Sequence, residues 1–381
     1  MTVRPHLAIV VTDIYAMNVL GRGQLEHFNE AGVDLTLVCG GDRDKFEPLK
    51  ARGVGEVVRV PLQRKPHFVH DLLAFIALLK IFLTRRFDAV VCSTPKAMLL
   101  GSIAAAVTMQ PNRTVFVRGR AYENFRGAKR AVYEWFDRLS FLCSHRVIFL
   151  SPSLREAYAD DGLSAGTKGT IIGAGSSNGV DTGRFRPVGG DARASLRRSL
   201  GFRDEAFNIV FAGRIAPDKG IATGLQLIDR LADRKDIAWH FVGGVEDDAL
   251  HAALTARRHL RVRHVDHTDR LEQWLAAADL HFMPSEREGF GNVAVEAAAT
   301  GTPTFAFDVV GLRDSVSGGT SGQLFPFGDV AALEQAIRKA ADDPAGFRNR
   351  FARAREWAAL TFPQEATWDA YLANYLAAGR A

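Results

Sequence analysis

Two cationic side chains flank the start of a predicted helix in the second half of the sequence. The segment Phe211-Ala-Gly-Arg-Ile-Ala-Pro-Asp-Lys-Gly220 contains the end of a predicted strand, a tight turn opened by Gly213, and a helix that we expect to begin at Pro217. Arg214 and Lys219 lie on either side of that helix start. Backbone N–H groups at a helix start attract anions, and nearby cations strengthen this attraction. The pattern predicts a diphosphate site, with a solvated basic turn as the alternative.

Two carboxylates follow the predicted strand Leu280–Met283. Glu288 precedes a glycine turn, and Glu296 lies eight residues later within a predicted helix. The turn and the start of the helix consist of Gly289, Phe290, Gly291 and Asn292. Carboxylates accept hydrogen bonds from sugar hydroxyls, and glycines allow a sugar or phosphate to approach the backbone closely. The alternative is that Glu296 only complements the helix dipole, but the two motifs together, each at a strand end of one domain, favour a ligand site.

Short apolar runs alternate with amphipathic stretches along the whole chain. In the first half the apolar runs are Leu7–Thr12, Leu35–Cys39, Val57–Val60, Ala89–Cys92, Thr114–Val117, Val147–Leu150 and Thr170–Ile172. The amphipathic stretches between them include Leu20–Ala31, Asp71–Thr84, Ala97–Thr108 and Ala128–Ser140. In the second half the apolar runs are Asn208–Ala212, Trp239–Val242, Arg261–Val265, Leu280–Met283 and Thr304–Phe307. Continuous apolar strands that alternate with helices predict parallel sheets covered on both faces.

Glycine, serine and proline residues near Gly173–Pro187 indicate a linker between two doubly wound domains. We therefore predict an N-terminal domain over residues 1–176, a C-terminal domain over 177–362, and a final helix within 363–381 that packs back on the N-terminal domain. Ligands of such folds bind at the carboxyl ends of the strands. If the two domains face each other, their ligands would meet in a central cleft.

The composition is that of a folded globular protein. Of 381 residues, 47% are hydrophobic and 24% charged, which excludes a disordered or fibrous chain. The formal net charge of +5 does not by itself indicate nucleic acid, but it favours anionic ligands or an anionic membrane surface. Three scattered cysteines argue for a reducing cytoplasm. The longest apolar segment, Leu72–Leu83, contains Lys80 and is far shorter than the roughly 20 residues that span a bilayer.

Two further patterns could suggest metal sites, and we interpret both as structural. Asp42-Arg-Asp44 has the form found in metal-dependent sugar transferases, but it lies apart from the motifs above and is typical of a solvated loop. The segment His264–Asp269 lacks a supporting cysteine cluster.

Basic and aromatic residues are mixed in two segments, Arg118–Arg138 and His67–Arg86. They suit a membrane interface or a polyanionic acceptor, or equally a core with solvated charges.

The two motifs resemble the donor-site signature of retaining glycosyltransferases of family 4, and the resemblance extends over nearly the whole chain. This family has the GT-B fold, two doubly wound Rossmann-like domains that face a central cleft. The segment Asn178–Asp181 followed by Phe185 is similar to the family's interdomain segment. Other segments resemble a branch that makes capsule, exopolysaccharide and lipid-linked oligosaccharides: Thr94–Ala97, Arg118-Gly119, Ser151–Arg155, Gly175–Asp181 and Val310–Asp314.

The resemblance implies an enzyme that transfers a sugar from a nucleotide-sugar donor to an acceptor hydroxyl with retention of configuration. We expect a UDP-linked donor, with an N-acetylhexosamine as one candidate sugar, and an acceptor on a lipid-linked or cell-surface glycan precursor. Glu296 would bind the ribose, Glu288 the sugar hydroxyls, and Arg214 and Lys219 the departing diphosphate. The other expected donor contacts are Gly213, Gly289, Phe290, Gly291 and Asn292. With two fixed cations at the diphosphate, no metal and no other cofactor are expected.

The N-terminal domain would hold the acceptor, near Lys96, Arg118, Arg120 and the loop Tyr15–Arg22. Many family members carry a histidine on the strand that reads Phe116–Ala121 here, so the arginines in its place leave the donor sugar open. The cysteines indicate a cytoplasmic protein, and the lipid diphosphate-linked sugars that are the branch's usual acceptors imply peripheral attachment to the inner face of a membrane. Two alternatives remain at this point: a sugar-nucleotide 2-epimerase of the same fold, and a non-catalytic protein that binds nucleotide sugars.

Overall fold

The computed structural model describes residues 4–21, 23–203 and 205–377. The chain forms two compact units. The first comprises Met1–Asn178 together with Gln364–Ala381, and the second comprises Gly179–Pro363.

The first unit contains a parallel sheet in which the order of the seven described strands is β3-β2-β1-β4-β5-β6-β7. The strands are β1 (His6–Asp13), β2 (Asp34–Gly40), β3 (Glu56–Arg59), β4 (Ala89–Ser93), β5 (Arg113–Val117), β6 (Arg146–Phe149) and β7 (Gly169–Ile171). The helices between them are α1 (Ile14–Leu20), α2 (Gln24–Glu30), α3 (Glu47–Ala51), α4 (Phe68–Thr84), α5 (Pro95–Val107), α6 (Gly127–Leu142) and α7 (Pro152–Asp160). The reversal of strand order between β1 and β4 makes this a doubly wound sheet.

Helix α4 packs against the sheet of the first unit through regularly spaced apolar residues. Ala74, Leu78 and Phe82 recur every four residues along the helix and are completely or almost completely buried. They pack against strand residues that include Val10 and Val90. One face of α4 therefore forms part of the core, as expected for a helix with apolar residues at this spacing.

The second unit contains a parallel sheet whose six described strands have the order β10-β9-β8-β11-β12-β13. The strands are β8 (Phe207–Ala212), β9 (Ile237–Val242), β10 (Val262–Val265), β11 (Leu280–Met283), β12 (Thr304–Phe307) and β13 (Gly322–Phe325). The helices are α8 (Gly190–Leu200), α9 (Ile221–Arg230), α10 (Asp248–Ala256), α11 (Leu271–Ala277), α12 (Asn292–Ala299), α13 (Leu312–Ser315), α14 (Val330–Asp342), α15 (Pro344–Arg350) and α16 (Ala354–Thr361). The prediction of two doubly wound α/β units is confirmed.

The last helix, α17 (Gln364–Leu376), belongs to the first unit and packs against α2. The hydroxyl of Tyr371 donates a 2.8 Å hydrogen bond to the carbonyl of Ser176. Its ring centroid lies 5.3 Å from that of Phe116, the fourth residue of β5. The buried aromatic residues of α17 therefore complete the interior of the first unit.

Some predicted strands and helices differ from the structure. Strand β13 was not predicted, because its sequence Gly-Gln-Leu-Phe is short and begins with a glycine and a polar residue. The helix predicted over Leu20–Ala31 is interrupted, since α1 ends at Leu20 and α2 begins at Gln24. The helix predicted to begin at Pro217 begins at Ile221, after a 3-10 turn over Pro217–Lys219. Within the described ranges, no helix is both long and apolar enough to cross a membrane.

Candidate active site

The two motifs of the second unit lie on loops that follow neighbouring strands. Strand β11 pairs directly with β8, so their carboxyl ends lie side by side. The amide of Glu286 donates a 3.0 Å hydrogen bond to the carbonyl of Asp218 and ties one loop to the other. Gly220 has a φ of +70°, and a Cβ there would lie 1.9 Å from the carbonyl oxygen of Pro284. Only glycine allows the two loops to approach this closely.

The side chains of Lys219 and Glu288 meet between these loops. Nζ of Lys219 donates a 2.6 Å hydrogen bond to Oε1 of Glu288. Both side chains are largely buried, with 17% and 13% of their surface exposed. The spacing of 69 residues between them gave no sign of this contact. The structure therefore joins the expected phosphate-binding cation to the expected sugar-binding carboxylate.

Arg214 lies on the exposed side of the same region. Its guanidinium is ion-paired with Glu246 and lies 3.4 Å from a carboxylate oxygen of Asp218. Arg287 lies 4.0 Å from the same carboxylate. Cations and carboxylates thus alternate along this edge of the sheet. Neither acid was singled out from the sequence, although Glu246 follows β9, the strand next to β8, and could have been found by its place after a strand.

The glycine turn after Glu288 is fixed by close packing. A Cβ on Gly291 would lie 2.5 Å from the hydroxyl of Ser315, which leaves no space for a side chain there. Phe290 is 5% exposed, and its ring packs edge-on against Phe362 with the centroids 5.3 Å apart. The ring of Phe290 therefore contributes to the core, and only its backbone remains for a donor contact. Asn292 begins α12, and Gly289 is half-buried beside it.

Glu296 lies on α12 and is half-buried. Burial raises the pKa of this carboxyl to about 7, while Arg184 lowers it and Glu272 raises it further. Arg184 and Glu272 form an ion pair with a 2.9 Å contact. Because the pKa is close to neutral, the charge of Glu296 changes within the physiological pH range.

Lys96 lies at the start of α5 in the first unit and is held on two sides. Its Nζ donates hydrogen bonds to Asp71 at 2.6 Å and to the carbonyl of Lys65 at 2.7 Å. It lines a pocket of about 630 Å³ that also contains Asp13 and Arg64. The pocket extends from the carboxyl end of β1 to Tyr133 and Phe136 of helix α6 and to Phe125 in the segment before that helix. A pocket of this size therefore lies within the first unit at the edge where doubly wound sheets bind ligands.

Arg118 and Arg120 have different surroundings. Arg118 follows β5, donates a 2.8 Å hydrogen bond to Ser93, and lies 4.1 Å from the ring centroid of Phe116. Burial lowers the pKa of its guanidinium. Arg120 instead forms ion pairs with Glu123 and Asp161 at 2.8 and 2.9 Å. Its charge is therefore neutralised within the unit, which gives Arg120 a structural role beside any contact with an acceptor.

The segment predicted as a loop over Tyr15–Arg22 is mostly helical, and Arg22 lies outside the described residues. Asp13 caps α1, because its side chain accepts a 2.9 Å hydrogen bond from the amide of Ala16. Tyr15 is 61% exposed on that helix. A helix replaces the expected loop here because an aspartate at the end of β1 supplies the missing acceptor at the helix start.

Neither of the two sequence patterns considered for metal binding forms a metal cluster. In residues 4–21, 23–203 and 205–377, no group of three or more His, Cys, Asp or Glu side chains is arranged to hold an ion. Asp42 directly precedes a short 3-10 turn that contains Asp44, and both residues are exposed. His264 forms a 2.8 Å hydrogen bond with the carbonyl of Gly243.

Comparison with known proteins gives two family matches, one in each unit. The family described as "Glycosyl transferase 4-like domain" matches residues 17–173, and "Glycosyl transferases group 1" matches residues 206–343. The capsular polysaccharide biosynthesis glycosyltransferase CapM of Staphylococcus aureus is 27% identical over 344 residues, which cover 89% of this chain and 87% of CapM. A D-inositol 3-phosphate glycosyltransferase of Streptomyces avermitilis is 37% identical over 181 residues, which cover 44% of this chain and 39% of that protein.

Solved structures support the same fold over nearly the full chain. Anabaena Alr3699/HepE in complex with UDP has a TM-score of 0.78 at 20% identity and covers 98% of this chain and 99% of its own. WaaG, a glycosyltransferase involved in lipopolysaccharide biosynthesis, has a TM-score of 0.76 at 15% identity and covers 97% of this chain and 99% of its own. The family matches in both units, a glycosyltransferase relative that aligns with most of the chain, and these structural neighbours lead to one conclusion: this protein is a glycosyltransferase with the GT-B fold.

Proposed function

We propose that the enzyme transfers a sugar from a UDP-sugar to a hydroxyl of a lipid-linked or cell-surface glycan precursor, with retention of configuration. The observation that carries this proposal is the Lys219–Glu288 contact of 2.6 Å at the ends of two neighbouring strands. A cation beside a carboxylate suits a ligand in which an anionic diphosphate adjoins a polyhydroxylated sugar. The UDP bound to HepE and the capsular role in the name of CapM support the donor and the acceptor class.

Lys219 would stabilise the charge that grows on the diphosphate as the sugar departs. A fixed cation at that position lowers the barrier because it does not have to reorient during the reaction. Arg214 is more exposed than Lys219 and would help to neutralise the departing diphosphate. Its pairing with Glu246 keeps the guanidinium beside the loop that follows β8.

Glu288 would accept hydrogen bonds from the hydroxyls of the transferred sugar, and its bond to Lys219 would keep the carboxylate in position. Glu296 would accept hydrogen bonds from the ribose hydroxyls. The backbones of Gly213 and of the turn over Gly289–Asn292 would line the donor. We assign no protein nucleophile, in keeping with attack by the acceptor on the same face from which the diphosphate departs.

Metal-independent transfer is part of the proposal. A divalent cation in other sugar transferases neutralises the leaving diphosphate. Here Arg214 and Lys219 would supply two positive charges for that purpose. The acceptor would bind in the first unit, in the pocket lined by Lys96 and Asp13, with Arg118 directly after strand β5.

The test is an assay of UDP release from a panel of UDP-sugars, with and without lipid-linked sugar acceptors. We expect acceptor-dependent UDP release, and an NMR spectrum of the product should show the anomeric configuration of the donor. An epimerase would convert the donor sugar without an acceptor, and a binding protein would show no turnover. An inverted product would contradict the retaining mechanism but leave the donor site intact.

A further inference from the structure

Three arginine side chains of the second unit converge on one carboxylate oxygen. The Nη2 atoms of Arg193, Arg197 and Arg348 lie 3.1, 2.6 and 2.9 Å from Oδ1 of Asp279. The other oxygen of Asp279 accepts a 2.9 Å hydrogen bond from the amide of Asn208. Three positive charges therefore share one negative charge, and two of them have no counterpart within this arginine cluster.

Helices α8 and α15 bring the arginine cluster together. Arg193 and Arg197 lie four residues apart on α8 and therefore project from the same face of that helix. Both also donate hydrogen bonds to backbone carbonyls at the end of α11. Arg348 on α15 differs, since its side chain is 49% exposed and, within the described ranges, bonds to Asp279 alone. Its guanidinium is therefore available for a ligand.

The ionisation of Arg193 reflects this excess of positive charge. Burial lowers the pKa of its guanidinium to about 10, while Asp279 raises it and Arg197 and Arg348 lower it. Like charges in close proximity disfavour the protonated form of each group. An anion beside the arginine cluster would offset this repulsion.

A pocket of about 200 Å³ adjoins the arginine cluster. Its lining includes Arg197, Arg348 and Asp279, together with Phe207 at the start of β8 and Pro344 at the start of α15. Pockets that hold drug-sized ligands have volumes of about 300–1,000 Å³, so this one suits a smaller molecule. The volume therefore favours a phosphate group over a second nucleotide sugar.

Two further acids of the described residues line the pocket. Asp236 is already paired with Arg234, whose guanidinium donates hydrogen bonds of 2.9 and 2.7 Å to its two carboxylate oxygens. Glu205 is exposed, so solvent screens its charge. The charge of Glu205 opposes an anion in the pocket, and its removal therefore offers a test of opposite sign.

The pocket lies at the edge of the sheet opposite to the donor motifs. Asp279 directly precedes β11 and Phe207 begins β8, whereas Lys219 and Glu288 follow the carboxyl ends of the same two strands. Strand β8 has six residues, which span roughly 20 Å at the usual rise of about 3.3 Å per residue. A ligand in this pocket would therefore not touch the donor.

We propose that this pocket binds a phosphate group, either of inorganic phosphate or of a small phosphate monoester. A phosphate group carries about −1.5 to −2 charges at pH 7, close to the charge that Asp279 leaves uncompensated. Guanidinium groups bind phosphate oxygens through paired hydrogen bonds. Arg348 would supply such a pair, and the buried Arg197 would contribute its charge. This site is independent of the proposed function.

Calorimetric titration with inorganic phosphate at constant ionic strength tests the site. Arg348→Ala should weaken phosphate binding by at least about tenfold, the effect of losing a hydrogen bond between charged groups. The matched control is Arg350→Ala on the same helix, which removes an exposed arginine outside the pocket lining and should leave the affinity unchanged. Glu205→Gln should strengthen binding, because it removes a like charge. Glycerol phosphate, titrated in parallel, distinguishes a free ion from a phosphate monoester as the preferred ligand.

Thermal unfolding gives a second readout and checks the fold of the variants. Asp279 keeps two of its arginines in Arg348→Ala, so this variant should fold. Phosphate should raise the unfolding temperature of the unchanged protein more than that of Arg348→Ala, because a ligand stabilises the state that binds it. Equal effects of phosphate on Arg348→Ala and Arg350→Ala would overturn the proposal, as would the absence of phosphate binding at millimolar concentrations.

Phosphate bound at the donor site must be distinguished from phosphate bound in this pocket. The affinity of the pocket should be the same in Lys219→Ala and in the unchanged protein saturated with UDP. Loss of phosphate binding in both cases would place the phosphate at the donor site and overturn the proposal. If UDP does not bind, the proposed function fails, whereas the comparison of Arg348→Ala with Arg350→Ala still decides whether the pocket binds phosphate.

Discussion

Lys219 and Glu288 follow different strands, yet their side chains share a 2.6 Å hydrogen bond. Each is therefore both a candidate ligand group and the support of the other. The contact predicts that the two side chains act together on the intact UDP-sugar, the ligand that would contact both. The effects of the two substitutions should not add.

Replacement of Lys219 by alanine should reduce turnover by about 10²–10³-fold, the loss seen when one preorganised charge-stabilising group is removed. Circular dichroism and thermal unfolding should show an intact fold, and UDP release with saturating acceptor measures turnover. The matched control is Lys235→Ala, which removes an exposed lysine of the same unit. A turnover of Lys219→Ala within threefold of the unchanged protein would place the diphosphate elsewhere.

Substitutions of Glu288 and of Glu296 should weaken the binding of different ligands in calorimetric titrations. Glu296→Ala should weaken the binding of free UDP by about 1.5–3 kcal/mol, the range for hydrogen bonds to a charged group. Glu288→Ala should leave free UDP binding nearly unchanged and weaken the intact UDP-sugar, because Glu288 is assigned to the sugar. Equal losses of UDP affinity in both variants would contradict this division of roles.

The affinity for UDP should depend on pH through Glu296. Burial raises the pKa of this carboxyl to about 7, so the group is mostly neutral at pH 6 and mostly ionised at pH 8. A carboxylate accepts hydrogen bonds from ribose hydroxyls more strongly than the neutral acid does, so affinity should fall as the pH falls. We expect a change of about fivefold between these pH values. Glu296→Gln, titrated in parallel, removes the contribution of Glu296 to the pH dependence. Any pH dependence that remains in this variant comes from the ionisation of UDP itself.

Activity should survive an excess of EDTA, because Arg214 and Lys219 are assigned the charge neutralisation that a metal would supply. The assay is UDP release before and after chelation, followed by addition of Mg²⁺ or Mn²⁺. Loss of activity that either ion restores would refute the metal-independent mechanism. Asp42 and Asp44 would then be the first residues to substitute.

The approach of the two loops at Gly220 can be tested through stability. In Gly220→Ala the alanine would have to adopt a left-handed backbone conformation, and its Cβ would lie 1.9 Å from the carbonyl oxygen of Pro284. Gly319 has a similar φ of +76° but open space around it, so Gly319→Ala isolates the backbone cost of about 1–2 kcal/mol. Urea unfolding should show that the Gly220 variant loses clearly more free energy of unfolding than the Gly319 variant. Equal losses would mean that the loops can separate without cost.

The strands could be predicted from the sequence because they depend on local patterns, and their ends locate the two loops that carry the expected donor motifs. Apolar runs locate the strands, and β11 and β12 agree with the structure at both ends. Ion-pair partners could not be predicted, since they depend on which loops pack together. The contact between Arg214 and Glu246 joins residues 32 positions apart.

Burial also separates residues that look alike in sequence. Arg118 and Arg120 are two positions apart, yet only Arg120 forms the described ion pairs with carboxylates. Phe290 lies between two glycines of the turn predicted to bind the donor, and its ring nevertheless packs in the core. The sequence shows the charge or the apolar character of such residues, but the direction of each side chain follows from how the strand ends and loops pack.

The first unit is discontinuous in the sequence, and this determines when it can be completed during synthesis. The chain leaves the unit at Asn178 and returns to it at Gln364. Helix α17 then supplies Tyr371, which bonds to the carbonyl of Ser176. A nascent chain that ends before this helix lacks part of the interior of its first unit. The ribosome must therefore complete the second unit before the first can be finished, although the first begins at the N-terminus.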